Sequence, residues 1–143
     1  MELQRFKQLL KNHGLSTTQP RLRLFGHLQG NPALTMQQLI ALTARHDRVT
    51  VYRNVDLFEK LGIINRLRLG WHTKIELSDV FQRHHHHLSC TSCGKVWVLE
   101  EEPLIEQKIK AISRLKNFVA IDHQLEIRGT CQSCQKHRTP GQA

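Results

Sequence analysis

The stretch of sequence that decides the fold is RVTVYRNVDLFEKLG, residues 48–62. Its apolar side chains recur at helical spacing along one face. They are Val51, Val55, Leu57, Phe58 and Leu61. Gly62 follows the last of them, as glycine commonly does at the end of a helix. The stretch therefore predicts an amphipathic helix with one buried face.

The segments on either side predict further helices upstream and a hairpin downstream. Gly14 ends a first helix, Pro20 begins a second and Thr35 caps a third. Downstream, two short β-leaning runs surround Gly70 and Trp71, which is typical of a two-stranded hairpin. A generic helical core would show the same helical periodicity, so the order of the elements carries the prediction of a winged helix-turn-helix.

The second half of the chain predicts a small α/β unit, which makes the whole chain α+β. The apolar pattern lapses over residues 78–83, which we interpret as a hinge between a winged-helix domain at 1–77 and a second domain at 84–143. The elements predicted in the second domain are a strand at 84–89, a strand at 95–99, a helix at 103–116 and a strand at 121–128.

The composition indicates a basic protein with enough apolar residues to fold. The chain has 143 residues, 39% of them hydrophobic, and a formal net charge of +9. Residues 1–83 hold thirteen basic and six acidic side chains, whereas residues 84–143 hold eight and six. The excess in the first half suits binding to a polyanion such as DNA, although solubility alone would also explain it.

The lack of a recognisable targeting or membrane-spanning segment predicts a cytoplasmic protein. No apolar run in the sequence is long enough to cross a bilayer, so we expect no membrane partner. The first residues, MELQRFK, lack the apolar core of a signal peptide.

The cysteines are arranged as two pairs, Cys90-x-x-Cys93 and Cys131-x-x-Cys134. In a cytosolic chain such pairs indicate a metal site rather than disulfides. Four thiolates suffice for a closed tetrahedral zinc site. An iron–sulfur cluster and four reduced, metal-free cysteines are the alternatives.

Four consecutive histidines occupy positions 84–87. On a strand, alternate side chains point to opposite faces, so His84 and His86 would serve one site and His85 and His87 another. Further candidate ligands before and after the run are His72, Glu76, Asp79, Glu106 and His123. Histidine and carboxylate ligands suit Zn(II), Fe(II), Mn(II) or Ni(II). A solvated basic loop is the alternative.

Catalytic motifs are absent from the sequence. It contains no His-Glu-x-x-His, no phosphate-binding glycine loop and no nucleophile elbow. We therefore expect neither enzymatic activity nor a small-molecule substrate.

Four segments carry a resemblance to a known family. They are LSTTQPRLRLF (15–25), TVYRNVDLFEKLGII (50–64), HHHHLSCTSCGKV (84–96) and IDHQLEIRGTCQSC (121–134). From about Gly14 to Cys134 the chain resembles the ferric uptake regulator family of bacterial metal-dependent transcription factors. The resemblance implies an N-terminal winged helix, a C-terminal α/β dimerisation domain and a homodimer.

The resemblance also implies the ligands of two metal sites. The thiolates of Cys90, Cys93, Cys131 and Cys134 match the family's structural zinc site. A second set matches a site within the dimerisation domain: His84, His86, Glu106 and His123. Many iron-sensing members have Asp in place of His86, and the histidine-rich run is somewhat more similar to the zinc-sensing branch.

A third site, near the hinge, is where the sequence departs from the family. Glu76, His85 and His87 match its ligands, but the position of the family's His after the second helix holds Ala33. Two extra residues also precede the histidine run. The candidate replacements for the missing ligand are His72 and Asp79.

The resemblance also implies DNA-contacting residues on the helix predicted within residues 48–62. Tyr52 and Arg53 match the family's DNA-contacting pair, although Tyr52 could instead belong to the core. Arginine suits contact with guanine or phosphate, and a tyrosine ring can pack on a thymine methyl group. Arg48 and Thr50, at the helix start, are predicted to reach phosphates, and Arg21 is a candidate contact to the DNA backbone.

Taken together, these features predict a homodimeric, metal-responsive repressor that binds a palindromic operator in double-stranded DNA and controls zinc or iron uptake genes. The expected cofactors are structural Zn(II) and a regulatory divalent metal, either Zn(II) or Fe(II). The alternative is a cytoplasmic metal buffer or chaperone that uses the His and Cys clusters for storage.

Overall fold

The structure, a computed structural model, describes residues 1–43 and 47–136. It divides into two compact units. The N-terminal unit comprises Met1–Arg68 and His72–Arg83, and the C-terminal unit comprises Leu69–Trp71 and the chain from His84 onward. Each helix that the structure describes is too short or too polar to span a membrane.

The first part of the chain forms four helices and a two-stranded hairpin. The elements are α1 (Glu2–Asn12), α2 (Gln19–Gln29), α3 (Met36–Leu42), α4 (Arg48–Lys60), β1 (Ile64–Leu69) and β2 (His72–Leu77). An antiparallel bridge between Leu34 and Ile75 joins the segment before α3 to β2. This order of elements confirms the predicted winged helix.

Capping residues set the helix boundaries. Thr35 and Gln38 form a capping box at the start of α3, in which each side chain accepts a hydrogen bond from the other residue's backbone. Asp47 caps α4 by accepting from the Thr50 amide at 2.9 Å. Hydrogen bonds from the Thr50 side chain and backbone lower the pKa of Asp47. After α4, Gly62 adopts a φ of +66°, which favours glycine.

One hydrophobic cluster forms the core of the N-terminal unit. Phe6 stacks on Phe25 with ring centroids 4.2 Å apart and meets Phe58 edge-on at 5.3 Å. Phe81 lies in the same cluster, edge-on to Phe25 at 5.3 Å. Such aromatic pairs add to the free energy of apolar burial. Because Phe81 is buried here, residues 78–83, which we interpreted as a hinge, pack with the N-terminal unit.

The C-terminal unit is a three-stranded sheet with two helices. Its elements are β3 (His85–Cys90), β4 (Val96–Glu100), α5 (Pro103–Leu115), β5 (Glu126–Gly129) and α6 (Gln132–Lys136). The strand order is β4-β3-β5, with β3 antiparallel to β4 and parallel to β5. The central strand therefore carries three of the four consecutive histidines and the first cysteine.

Two elements of the C-terminal unit differ from the prediction. The last strand was predicted from residue 121 but begins at Glu126, because the preceding residues leave the sheet and bring His123 to Glu106. Helix α6 was not predicted. It spans five residues and buries none of them, so it has no apolar stripe that a sequence pattern could detect.

Candidate metal centres and DNA-contacting helix

The four cysteines form one cluster in the C-terminal unit. Their sulfur atoms all lie within 4.8 Å of one another, and the sulfurs of Cys93 and Cys131 are 3.8 Å apart. A tetrahedral zinc site with Zn–S bonds of about 2.3 Å places its sulfurs about 3.8 Å apart. Cys90 ends β3 and Cys134 lies in α6, so these two elements bring the two pairs together.

Hydrogen bonds within the cysteine cluster shift the pKa values of its thiols in opposite directions. Hydrogen bonds from backbone amides, first that of Cys131 at 3.3 Å, lower the pKa of Cys90 to about 6. The hydrogen bond with the Cys131 side chain, followed by burial, raises the pKa of Cys134 to about 12. Without a cation the cluster therefore cannot hold four thiolates at neutral pH. A coordinated divalent cation favours the deprotonated form of each thiol, so the donor set fits zinc.

Three histidines and one glutamate form a second cluster, between β3, α5 and the segment before β5. The Nε2 atoms of His86 and His123 lie 3.0 and 3.2 Å from Glu106 Oε1. His84 Nε2 lies 3.1 Å from His123 Nε2. A tetrahedral ion with bonds of about 2.0–2.1 Å has ligand atoms about 3.3 Å apart, so the four predicted ligands are placed to share one ion.

The environment of this second cluster also fits a cation. His86 is fully buried, and its Nε2 is the ring nitrogen that faces the cluster, 3.0 Å from Glu106 Oε1. Burial raises the pKa of Glu106, but the hydrogen bond from His86 and the charges of His123 and His84 outweigh it, so the net pKa is lowered. An ionised carboxylate beside three imidazole nitrogens suits Zn(II) or Fe(II).

The other two histidines of the run lie outside this cluster. The rings of His85 and His87, on the opposite face of β3, are 4.8 Å apart. Glu76 is buried on β2, His72 is exposed at the start of that strand, and the buried Ala33 offers no ligand atom. The grouping of the histidine pair with Glu76 and His72 in a hinge site stays a prediction.

Helix α4 buries one face and exposes the other. Val51, Val55 and Phe58 are buried, whereas Tyr52 is 48% exposed and Arg53 is exposed. The alternative in which Tyr52 belongs to the core is therefore wrong. The implied DNA-contacting pair lies on the outer face of the helix.

The remaining candidate DNA contacts differ in their surroundings. Arg48 is exposed at the first position of α4. The Thr50 hydroxyl donates to the Asp47 carboxylate at 2.7 Å and so serves the helix cap. The Arg21 guanidinium donates to the Asn54 side chain at 3.3 Å and links α2 to α4. Both of these side chains therefore also help to position the helix.

Two features of α4 were not predicted from the sequence. Arg66 on β1 forms ion pairs with Asp56 and with Glu59, the latter at 2.7 Å, and thereby neutralises two carboxylates of α4. Exposed pairs of this kind add little stability. Val49 is 55% exposed beside the Tyr52 position. Its position three residues before Tyr52 places it on the same helix face, outside the buried apolar stripe.

Comparisons with known proteins agree over nearly the whole chain. Residues 12–128 match the model of the ferric uptake regulator family. A ferric uptake regulation protein of Legionella pneumophila is 38% identical over 135 residues, which cover 90% of this chain and 97% of that protein. The crystal structure of the Vibrio cholerae ferric uptake regulator matches with a TM-score of 0.71 and 31% identity, covering 87% of this chain and 98% of that one. The Francisella tularensis ferric uptake regulator, solved with iron, matches with a TM-score of 0.71 and 32% identity, covering 85% and 96%.

Proposed function

The chain belongs to the ferric uptake regulator family of metal-responsive transcriptional repressors, and we propose that it represses metal-uptake genes when Zn(II) or Fe(II) binds its His–Glu cluster. Proteins of this family are dimeric DNA-binding regulators and not enzymes. The observation that carries the proposal is that one chain contains both a four-ligand cluster and an exposed Tyr52–Arg53 pair on a capped helix.

The cysteine cluster is the structural site in this proposal. We assign one Zn(II) to the sulfurs of Cys90, Cys93, Cys131 and Cys134. Four protein ligands complete a tetrahedral shell and leave no position open to solvent. Bound zinc neutralises the thiolates and links the end of β3 to α6, so it is a permanent part of the fold rather than the signal.

The cluster of His84, His86, Glu106 and His123 is the regulatory site in this proposal. Its imidazoles are neutral donors, and Glu106 supplies the one negative charge. Such ligands accept either Zn(II) or Fe(II). The nitrogen donor at position 86, where many iron-sensing relatives have a carboxylate, favours Zn(II) over Fe(II).

The outer face of α4 is assigned to DNA. Arg53 is suited to a guanine edge or a phosphate, and Tyr52 to a thymine methyl group. Arg48 lies at the positively polarised N-terminus of the helix, where a phosphate is favoured. Two copies of α4 in a dimer would bind two half-sites, so we propose a palindromic operator. Metal and DNA share a coupling free energy, and each therefore raises the affinity for the other.

The metal-storage alternative is not favoured. Storage requires ligands but has no use for a capped helix that exposes an arginine and a tyrosine beside each other. We assign the protein to the cytoplasm, because a reducing compartment keeps the four cysteines available for zinc.

We expect Arg53→Ala to lower operator affinity about 5- to 150-fold, which corresponds to about 1–3 kcal/mol for a lost base contact. The fold should be retained because Arg53 is exposed. Fluorescence anisotropy with a duplex enriched from a random pool by the metal-loaded wild-type protein measures the change.

Lys11→Ala is the matched control, because it removes the same charge from the N-terminal unit at an exposed position on α1. Equal affinity of Arg53→Ala and wild type would remove Arg53 from the set of DNA contacts. A wild-type affinity that did not change with salt concentration would contradict binding to a polyanion.

A further inference from the structure

Val49 places an apolar side chain on the outer face of α4. It is the second residue of the helix and is 55% exposed. It precedes Tyr52 by three positions and Arg53 by four, so the three side chains share one face. Valine is a poorer helix former than alanine, and a side chain so exposed contributes little to the core. Folding alone therefore gives no reason for valine at this position.

The chemistry of the major groove offers a reason. The C5 methyl group of thymine is the apolar group that base pairs present there. A recognition helix contacts base edges with its N-terminal residues, and Val49 lies in the first turn of α4. In a helix, valine strongly prefers one χ1 rotamer. Its methyl groups therefore keep their direction before DNA binds, and little rotamer entropy is lost on contact.

We propose that Val49 is a specificity-determining residue that selects thymine at one position of each operator half-site through contact between its methyl groups and the thymine C5 methyl. The inference rests on the proposed assignment of the outer face of α4 to DNA. Tyr52 and Arg53, one turn further along the helix, then contact neighbouring base pairs. Single exposed apolar side chains are common on protein surfaces, so dependence on the thymine methyl is the decisive property.

The test combines one substitution in the protein with one in the DNA. Wild-type protein loaded with Zn(II) first selects a duplex from a random-sequence pool. Each thymine of that duplex is then replaced in turn by deoxyuracil, which removes only the C5 methyl group. Anisotropy titrations compare wild type, Val49→Ala and, as a matched control, Val80→Ala, which shortens another exposed valine of the N-terminal unit.

In each half-site we expect one thymine position to be sensitive. Deoxyuracil at that position in one half-site should weaken wild-type and Val80→Ala binding about three- to ten-fold, the size expected for one buried methyl group. Val49→Ala should bind the original duplex more weakly by a similar factor and lose nothing further at that position. If deoxyuracil still lowers the affinity of Val49→Ala at every position where it lowers that of the wild type, other residues, such as Tyr52, make the methyl contacts. That result overturns the inference.

Unchanged affinity of Val49→Ala for the original duplex would overturn it as well. Those results would leave the proposed function intact, because the wild type would still bind a selected sequence. Failure of the wild type to enrich any sequence, whether loaded with Zn(II) or, without oxygen, with Fe(II), would instead overturn sequence-specific DNA binding, and the role of Val49 with it.

Discussion

Cys131→Ser is expected to lose the bound zinc and, with it, the folded C-terminal unit and the dimer. The sulfur of Cys131 lies 3.8 Å from that of Cys93 and within 4.8 Å of all the others, so its removal opens the coordination shell. Structural zinc in small sites is worth about 10–16 kcal/mol at pH 7, whereas whole domains are stable by only about 5–15 kcal/mol. Metal analysis, sedimentation and thermal melting measure the three consequences.

Ser92→Ala is the control for this substitution. Ser92 is exposed between Cys90 and Cys93, so its replacement changes the same loop and keeps every thiolate. We expect one zinc ion per chain, a dimer and wild-type melting for Ser92→Ala. If Cys131→Ser kept the dimer and the wild-type melting temperature, the structural role of the cysteine cluster would be wrong.

His123→Ala is expected to lower the affinity for the regulatory metal by about 100-fold or more, because loss of even an outer-shell partner of a ligand costs about 10–100-fold. His123 is half-buried on an irregular segment, so the substitution removes a ligand with little loss of packing. The metal-induced gain in operator affinity should disappear at concentrations that saturate the wild type. Isothermal titration and anisotropy measure the two effects.

His13→Ala is the matched control, because it removes an exposed histidine at the end of α1. Its metal affinity and its metal-dependent DNA binding should equal those of the wild type. The cluster of His84, His86, Glu106 and His123 would not be the regulatory site if His123→Ala responded to metal as the wild type does. Retention of the structural zinc in both variants would show that the two sites are separate.

Local signals in the sequence predicted most of the fold. The helix boundaries at Gly14, Thr35 and Gly62 depend on capping and backbone preferences that involve only neighbouring residues, and the structure has α1, α3 and α4 there. The hairpin at Gly70 was predicted for the same reason. These signals act over a few residues, so a single sequence displays them fully.

Elements that depend on distant partners were predicted less well. The last strand was predicted too long, because Ile121 and Leu125 extend the apolar pattern of the strand, whereas in the structure this segment leaves the sheet and places His123 beside Glu106. The link from Arg21 to Asn54 and the ion pairs of Arg66 join residues far apart in the sequence. The hydrophobic periodicity of a sequence does not indicate such long-range contacts.

The two metal clusters illustrate the same distinction. The spacing of the cysteine pairs indicated one zinc site from the sequence, because two adjacent ligands in each pair are a local feature. The partners of His84 and His86 were different: strand alternation placed them on one face, but Glu106 and His123 came only from the resemblance to the family. The structure brings all four within 4.8 Å.

The measurement that tests the central claim most directly is the operator affinity of the wild-type protein as a function of free metal. The protein retains its structural zinc, and Zn(II) or, without oxygen, Fe(II) is added at buffered concentrations to the selected duplex. We predict that one of these ions raises the affinity about 5- to 150-fold, the usual range of coupling between two sites. Equal affinity for the duplex with and without either ion would contradict a metal-responsive repressor.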